Sequence, residues 1–461
     1  MFGREVLFSS ETEITNGNVV EVLQAALPTH KRNSADIDYL YRYYRGEQPI
    51  LNRVKDIRPE ICNKIVENHA YEIVDFKKGY VFGEPIQYVR RGEDVSEENN
   101  VPFLNEVMFM ADKAQRDKEL AEWFYICGTA YRMVLPGESP ETPIEIDTLD
   151  PRYTFVVYNN GFGKKPLMGV TYTQNSDGDI VYSIYTPTTY FEVVGDVVKK
   201  QEDHVLGNIP IIEYPANNSR LGAFEIVLPL LDSLNDTVSN RMDGVEQFIQ
   251  SFMKFINCEI DETDFIALKE LGAIKVKGEP GLPADVDMVT QELNQTQTQL
   301  VKDDIYRMIL IICGMPDRHQ NAKSTSDTGL AVLLRDGWSS AEARARDTEL
   351  MFKSSEKKFL QLSLRIIKDI ANTEINLQDI DIKFIRNKTD NLLVKTQGLQ
   401  NMLEAGIHPQ IAIATCGLFS DPEQSYLDSQ EYLEKWKVAE ASVTPGNNKP
   451  DPEGGGVFEG G

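Results

Sequence analysis

The sequence predicts an α+β fold that is mainly helical, and three observations carry that prediction. Between Gly222 and about Asn372, apolar residues recur at steps of three and four, the spacing that lines one face of a helix. Between Tyr131 and Val194, short aromatic and β-branched runs sit between turn residues, which is the pattern of strands. A segment of strand and turn character, residues 259–293, interrupts the helical stretch, so it projects from the far end of two long helices.

Taken in order, residues 1–33 read as a polar surface arm with one amphipathic stretch, Val19 to Leu27, which Pro28 is predicted to end. Ser34 is the expected N-cap of a helix carrying Ile37, Leu40, Tyr41 and Tyr44, and Gly46 its stop. Arg58-Pro59 is expected to open a second helix with Ile61, Ile65, His69, Ile73 and Phe76 on its face, ending near Gly79. His69 reads there as a packed core histidine, since no second His or Cys lies at metal-ligand spacing. Gln115 to Cys127 is helical with Leu120, Trp123 and Phe124 inward. After Gly128 come strands at Tyr131–Leu135, Pro143–Asp147, Tyr153–Tyr158, Met168–Tyr172, Ile180–Tyr185 and Tyr190–Val194, with Ser176-Asp177-Gly178-Asp179 as a hairpin turn.

The first long helix carries Val227, Leu231, Leu234, Val238, Met242, Val245, Ile249, Phe252 and Ile256. From Glu225 to Asn257 it would run roughly 50 Å, with Pro229 kinking its first turns or shifting its start. The inserted segment holds a short helix at Phe265–Leu271, a strand at Ala273–Lys277, a Gly278-Glu279-Pro280-Gly281 turn and a strand at Val286–Thr290. A returning helix, about Gln297 to Cys313, has Val301, Ile305, Met308 and Ile312 in one stripe, and Gly314-Met315-Pro316 stops it. Next are a polar loop, Arg318 to Thr328, and a long helix from about Gly329 to Ala371 with Trp338 near its start. A strand, Ile380–Ile385, and two helices, Leu392–Ala405 and Pro422–Trp436, follow. Beyond Ala441 the chain is rich in Pro, Gly and acids and is expected to be disordered.

The 461 residues allow two to four domains, and 41% apolar content with 9% aromatics fills real cores. No run of 18 apolar residues and no basic-then-apolar N-terminus occurs, so neither membrane insertion nor secretion is indicated. Cys62, Cys127, Cys258, Cys313 and Cys416 are scattered in apolar surroundings and read as buried thiols of a reducing cytosol. A net charge of −25 argues against a broad grip on nucleic acid, because phosphate contacts come from Lys and Arg. It does not exclude nucleic acid as a passenger, for which a mostly repulsive wall would suit sliding, but on charge alone the favoured reading is that an acidic protein stays soluble. There is no phosphate-binding loop, no nucleophile elbow and no paired-His zinc motif. The carboxylate pairs Asp36/Asp38, Asp303/Asp304 and Asp379/Asp381 are what chance gives among 72 acidic residues. The reading is therefore a structural or assembly protein, with no catalytic residue, metal or cofactor.

Several stretches resemble the portal proteins of long-tailed siphophages. They are Tyr43-Tyr44-Arg45-Gly46-Glu47-Gln48-Pro49-Ile50-Leu51, then Asn63-Lys64-Ile65-Val66, then Gly79-Tyr80-Val81-Phe82-Gly83-Glu84-Pro85-Ile86. Asp147-Thr148-Leu149-Asp150-Pro151, Gly207 to Tyr214, Phe224-Glu225 with Leu230-Leu231-Asp232-Ser233, and Asp421-Pro422-Glu423 continue the match in the same order. Thr328-Gly329-Leu330-Ala331-Val332 stands where the family has a Ser-Gly-x-Ala-Leu-like pattern.

The resemblance implies a portal-type architecture. Its parts are an arm (1–33), a wing of helices then antiparallel strands (34–221), a stem helix (222–258), a clip (259–293) and a returning stem helix (294–317). A tunnel loop (318–328), a long wing helix and strand (329–388), a helical crown (389–440) and a tail (441–461) complete it. It also implies a ring, usually of about twelve copies, at one capsid vertex of the virion, assembled in the cytoplasm of the infected bacterial host. Double-stranded DNA passes through it inward at packaging and outward at ejection. Its partners are terminase, the head–tail connector, and the major capsid and scaffolding proteins, with no membrane.

Within that frame Arg318, His319, Gln320, Asn321, Lys323, Ser324, Thr325 and Ser326 are the expected DNA-facing loop residues. Lys275, Lys277, Glu279, Pro280 and Gly281 are the expected docking residues of the clip. Twelve copies would carry roughly −300, which favours sliding over clamping. Two other readings use the same residues. One is a ring-forming assembly or tail adaptor protein that passes no DNA and needs no polar loop between Pro316 and Gly329. The other is an acidic metal-dependent hydrolase.

Overall fold

The computed structural model describes residues 3–56, 58–91, 100–249, 295–317, 337–386 and 392–419, with short strands inside 252–289 and parts of 422–432. The chain divides into two compact units, one ending at Arg386 and one beginning at Asn387. The first opens with β1 (Leu7–Ser9), α1 (Val19–Tyr44), α2 (His69–Phe82), β2 (Gln87–Arg90), α3 (Val101–Met110) and α4 (Lys113–Cys127). Eight strands follow: β3 (Thr129–Pro136), β4 (Ile144–Leu149), β5 (Thr154–Asn159), β6 (Pro166–Gln174), β7 (Ile180–Tyr185), β8 (Thr189–Val194), β9 (Val197–Asp203) and β10 (Ile211–Pro215). Then come α5 (Leu228–Ile249), β11 (Phe252–Ile256), β12 (Cys258–Glu259), β13 (Lys277–Gly278), β14 (Asp285–Val289), α6 (Gln295–Cys313), α7 (Trp338–Ala371) and β15 (Ile380–Lys383). The second unit holds α8 (Leu392–Glu404) and α9 (Pro409–Cys416), and residues 424–430 are helical. The α+β, mainly helical class predicted from the sequence is the one observed.

The larger sheet has the order β1-β5-β6-β7-β8-β9, antiparallel throughout except for β1, which runs parallel to β5. Its buried face packs Leu7, Phe155, Val157, Met168, Val170, Ile184 and Phe191 against Val19, Val22, Leu23 and Ala26 of α1. A smaller antiparallel sheet, β10-β3-β4, and the β2–β15 pair flank a second core that draws on α2, α4, α5, α6 and α7.

Several expectations need correction. The first 33 residues are not a surface arm. β1 is a sheet strand, and Arg4 forms a buried ion pair with Glu225 at 2.5 Å. Pro28 does not end a helix, because α1 runs unbroken to Tyr44. An internal proline costs about 3 kcal/mol, but the buried stripe continues on both sides of it through Val22, Ala26, His30, Asn33, Ile37 and Leu40. No helix opens at Arg58-Pro59. Arg58 has a φ of 55° and residues 62–68 are extended, with α2 starting only after Asn68, whose side chain accepts the Tyr71 N–H at 3.3 Å.

The first long helix stops at Ile249, not near Asn257. Phe252–Ile256 is a strand paired antiparallel with β14, and its aromatic and β-branched residues suit that geometry as well as the helical stripe they complete. Pro229 falls in the first turn of α5, after a 3₁₀ turn at Glu225–Val227. Gly337, with φ 82°, precedes α7, so the long helix starts at Trp338 rather than running through from Gly329. β9, α3 and α9 were not anticipated. Cys127 and Cys313 are buried, while Cys62 and Cys416 are only half-buried. The predicted helix at Phe265–Leu271, most of the strand at Ala273–Lys277, residues 329–336 and the tail lie outside the described residues.

One buried ionic network joins five elements. Lys113 on α4 pairs with Asp117 at 2.7 Å and with Glu356 on α7 at 2.8 Å. Arg132 on β3 pairs with Asp117 and, at 3.3 Å, with Glu356. Tyr88 on β2 and Tyr214 on β10 donate to the two Glu356 oxygens at 2.5 and 2.8 Å. The Phe359 ring lies under both cations, 5.3 Å from Lys113 and 5.0 Å from Arg132. Two positive and two negative groups balance, which is how so much charge is tolerated where no water reaches.

Candidate functional site

The expected loop residues Arg318, His319, Gln320, Asn321, Lys323, Ser324, Thr325 and Ser326 lie outside the described residues, as do Lys275, Glu279, Pro280 and Gly281. Lys277 is placed, in β13 opposite Glu259. What the structure defines is the chain on either side of residues 318–336.

α6 ends in a left-handed turn. Gly314 has φ 66°, its N–H returns to Ile311 O at 3.1 Å, and the Met315 N–H returns to Leu310 O at 2.8 Å, so the last turn's carbonyls are satisfied locally. A side chain at 314 would collide with Arg344 of α7, its Cβ falling 2.2 Å from the arginine Cδ. Lys77 on α2 donates to the last α6 carbonyl, Cys313 O, at 2.8 Å. Burial pushes the Lys77 amine's pKa down. A cation at a helix C-terminus is favoured by the partial negative charge there.

The returning root is built on Gly337, whose carbonyl accepts the Ser340 and Ala341 N–H groups at 3.1 and 3.2 Å. A Cβ there would stand 3.7 Å from Pro316 Cα, so residues 318–336 leave and return at one place. Trp338 lies 6.1 Å from Phe76 and 5.9 Å from Tyr80, ring centre to ring centre. One turn on, Glu342 accepts the Tyr80 hydroxyl at 2.9 Å and Arg346 at 3.2 Å, and Arg386 bridges Glu342 and Glu349. Burial raises the pKa of Glu349, and the Arg386 charge opposes that.

α5 and α6 pack against each other, with Arg241 donating to Gln299 at 2.5 Å across them. His69 does not behave as a packed core histidine. It is half-buried between Glu72 at 2.7 Å and Glu67 at 3.4 Å; burial works against its charged form, but the two carboxylates outweigh that and raise its pKa to about 9. Glu67 also pairs with Lys302, and Glu72 accepts the Tyr306 hydroxyl, which ties the start of α2 to α6. On α6 the predicted stripe is largely the outer one. Ile309, Leu310 and Cys313 are buried in the chain's own core, while Val301, Met308, Ile311 and Ile312 are 38–65% exposed.

Sequence reasoning placed the end of α6 at Gly314-Met315-Pro316, put the start of the next helix at Gly329 rather than Trp338, and gave Lys77, Tyr80 and Glu342 no role. Among the described residues no group of three or more His, Cys, Asp or Glu is arranged to hold a metal, and no helix is long and apolar enough to cross a membrane.

A family model described as phage portal protein, SPP1 Gp6-like, matches residues 24–445. No curated protein sequence matches the chain. Among solved structures the chain is similar to one in the neck of an empty GTA particle computed with C6 symmetry, at 12% identity and a TM-score of 0.47, covering 84% of this chain and 94% of that one. It is similar to one in the virion of a native gene transfer agent particle, at 13% identity and 0.46 over the same shares. A third lies in the neck of a native GTA particle computed with C12 symmetry, at 11% and 0.42, covering 76% and 90%.

Proposed function

Because the chain belongs to the SPP1 Gp6-like family of phage portal proteins, we propose that it closes into a ring whose channel passes double-stranded DNA during packaging and ejection. The ring has about twelve copies and sits at one vertex of the capsid in the virion, after assembly in the cytoplasm of the infected bacterial host. Its role is structural rather than enzymatic. In this reading residues 318–328 line the narrowest part of the channel. There Arg318, His319 and Lys323 touch phosphates in passing, and Gln320, Asn321, Ser324, Thr325 and Ser326 make weak, sequence-blind contacts. Lys275, Lys277, Glu279, Pro280 and Gly281 are the clip surface that meets terminase and later the head–tail connector. The wing and crown meet the capsid and scaffolding proteins.

The observation that carries the reading, beyond membership, is α6. From Met308 to Cys313 it is apolar all round, and one side is buried in its own chain while Met308, Ile311 and Ile312 face outward. Such a helix needs a neighbour on its second side, and cyclic repetition supplies one in every copy. Electron microscopy down the particle axis tests the ring, for which a central hole wide enough for a duplex is expected. Deletion of Gln320 to Asp327 tests the channel loop. Rings form, but packaging is impaired, and normal packaging by such rings would sink the assignment.

A further inference from the structure

We propose that the groove between α2 and the end of α6 receives Arg307 of the next copy, so that each subunit completes a cation site on its neighbour. The contact rests on the reading of the chain as a ring. The groove, about 270 Å³, is walled by Tyr71 and Phe76 of α2, by Tyr306 of α6, and by Met315 and Pro316. Pockets for whole ligands are larger, roughly 300–1,000 Å³, so this one suits a single long side chain. Its charged groups are two carboxylates, Glu72 and Asp75, and among the described residues no lysine or arginine lines it.

The two acids differ in what remains open on them. Glu72 is held by His69 at 2.7 Å and accepts the Tyr306 hydroxyl at 2.9 Å. Asp75 is exposed, and Lys78 stands 3.7 Å from it while bonding Glu122 at 3.0 Å. Asp75 therefore keeps acceptor capacity beside three aromatic rings. Aromatic faces next to a carboxylate are what a guanidinium binds, because it stacks on the rings and forks the acid while its stem lies on apolar surface.

Charge and placement favour a second copy as the source. α6 carries two cations, Lys302 and Arg307. Lys302 turns inward to Glu67 at 2.6 Å, whereas Arg307 is exposed, four residues from the exposed Ile311 and seven from the exposed Leu300, on one outer face. Tyr306 and Arg307 are successive residues and so point about 100° apart around α6. Groove and arginine thus belong to different sides of one chain, which is the head-to-tail arrangement that closes rings. An arginine amid the apolar side of a subunit contact needs a carboxylate across from it. Among the described residues of its own chain, Arg307 pairs with Asp317 at a loose 3.5 Å.

The test uses the full chain assembled into rings. Asp75→Arg and Arg307→Asp, each alone, set like charges against each other and should lower the yield of rings more than about tenfold. Both positions are exposed, so circular dichroism should show each monomer folded as before. Combining the two substitutions restores the pair with its charges exchanged and should return the yield to within about threefold of the unaltered chain. A second measurement does not depend on charge. In rings carrying Asp75→Cys together with Arg307→Cys, diamide, which oxidises two thiols to a disulfide, should link subunits into a ladder of multiples of the chain mass that neither substitution gives alone. Unaltered ring yield from both charge variants overturns the contact, and so does the absence of a ladder; if a charge variant fails to fold, the ladder decides. An unaltered chain that stays monomeric in electron microscopy removes the ring reading and the contact with it. Rings that give no ladder remove only the contact, and leave the groove to a cationic side chain of another protein.

Discussion

The Ser239 hydroxyl on α5 accepts the backbone N–H of Ile65 at 3.0 Å, as the middle rung of a three-rung ladder. Asp243 accepts from Asn63 N at 2.7 Å and Asn235 from Glu67 N at 2.8 Å. Alternate residues of an extended chain advance about 6.6 Å, and four residues of a helix advance about 6 Å. An i, i+4, i+8 row of acceptors on a helix therefore matches every second N–H of the chain laid along it. α5 thus holds residues 63–67 as a sheet edge would.

Asp243 is the rung with most to lose, since Arg53 at 3.1 Å and Lys55 also pair with it and it is 4% exposed. Asp243→Ala leaves two cations and an N–H without their acceptor, and should cost about 2–3 kcal/mol. Ser239→Ala, with one neutral bond lost, should cost about 1 kcal/mol. Urea unfolding checks the order; equal costs would mean the ladder holds nothing in place.

This ladder also shows where reading the sequence stops. Hydrophobic periodicity located α5, α6 and six strands, because burial writes itself as a period of 3.6 or 2. Asn235, Ser239 and Asp243 have the same spacing in polar residues, and such a row reads as a solvated face. Lys113 and Asp117, four apart, read as a surface ion pair, and only the fold brings Glu356 and Arg132 to them. The start of α7 was read at Gly329, nine residues before Trp338, while the end of α6 was legible from Gly314-Met315-Pro316, as chain-breaking residues announce themselves. Lys77 and Tyr80 were not, because what they do depends on a helix more than two hundred residues away.

His30 gives the fold an acid limit. It is 1% exposed, 4.3 Å from the Phe155 ring and 3.2 Å from the Tyr172 hydroxyl, and burial lowers its pKa to about 4. The folded value lies below the unfolded one, so the unfolded chain binds the proton more readily. Stability is then full above about pH 6.5 and falls toward pH 4, by about 3 kcal/mol from this group alone. His30→Gln should flatten that part of the stability profile measured by thermal unfolding. An identical slope in the variant would assign the acid limit elsewhere.

The buried network should act as one unit. Glu356→Gln leaves Lys113 and Arg132 facing Asp117 alone, an uncompensated charge worth about 3–5 kcal/mol. Adding Arg132→Met restores the balance of Lys113 with Asp117, so the double variant should be more stable than the sum of the single costs by about 1–3 kcal/mol. Strict additivity in a double-mutant cycle would show that the pairs are independent.

The outer side of α6 is the sharpest test of ring closure. Met308 and Ile311 are 50% and 65% exposed, whereas Ile309 between them is fully buried. A charge at either exposed position meets only water in the monomer, so Met308→Glu and Ile311→Glu should change its stability by no more than about 0.5 kcal/mol. In a ring the same charge would be pressed against a neighbour's apolar surface without a partner, which is costly. Both variants should therefore remain folded and sediment as monomers under conditions where the unaltered chain forms rings. Ile309→Glu should instead fail to fold, because its side chain enters the chain's own core. Rings from Met308→Glu and Ile311→Glu at the unaltered yield would place the subunit contact on a different face of the stem, and the exposed stripe on α6 would then need another occupant.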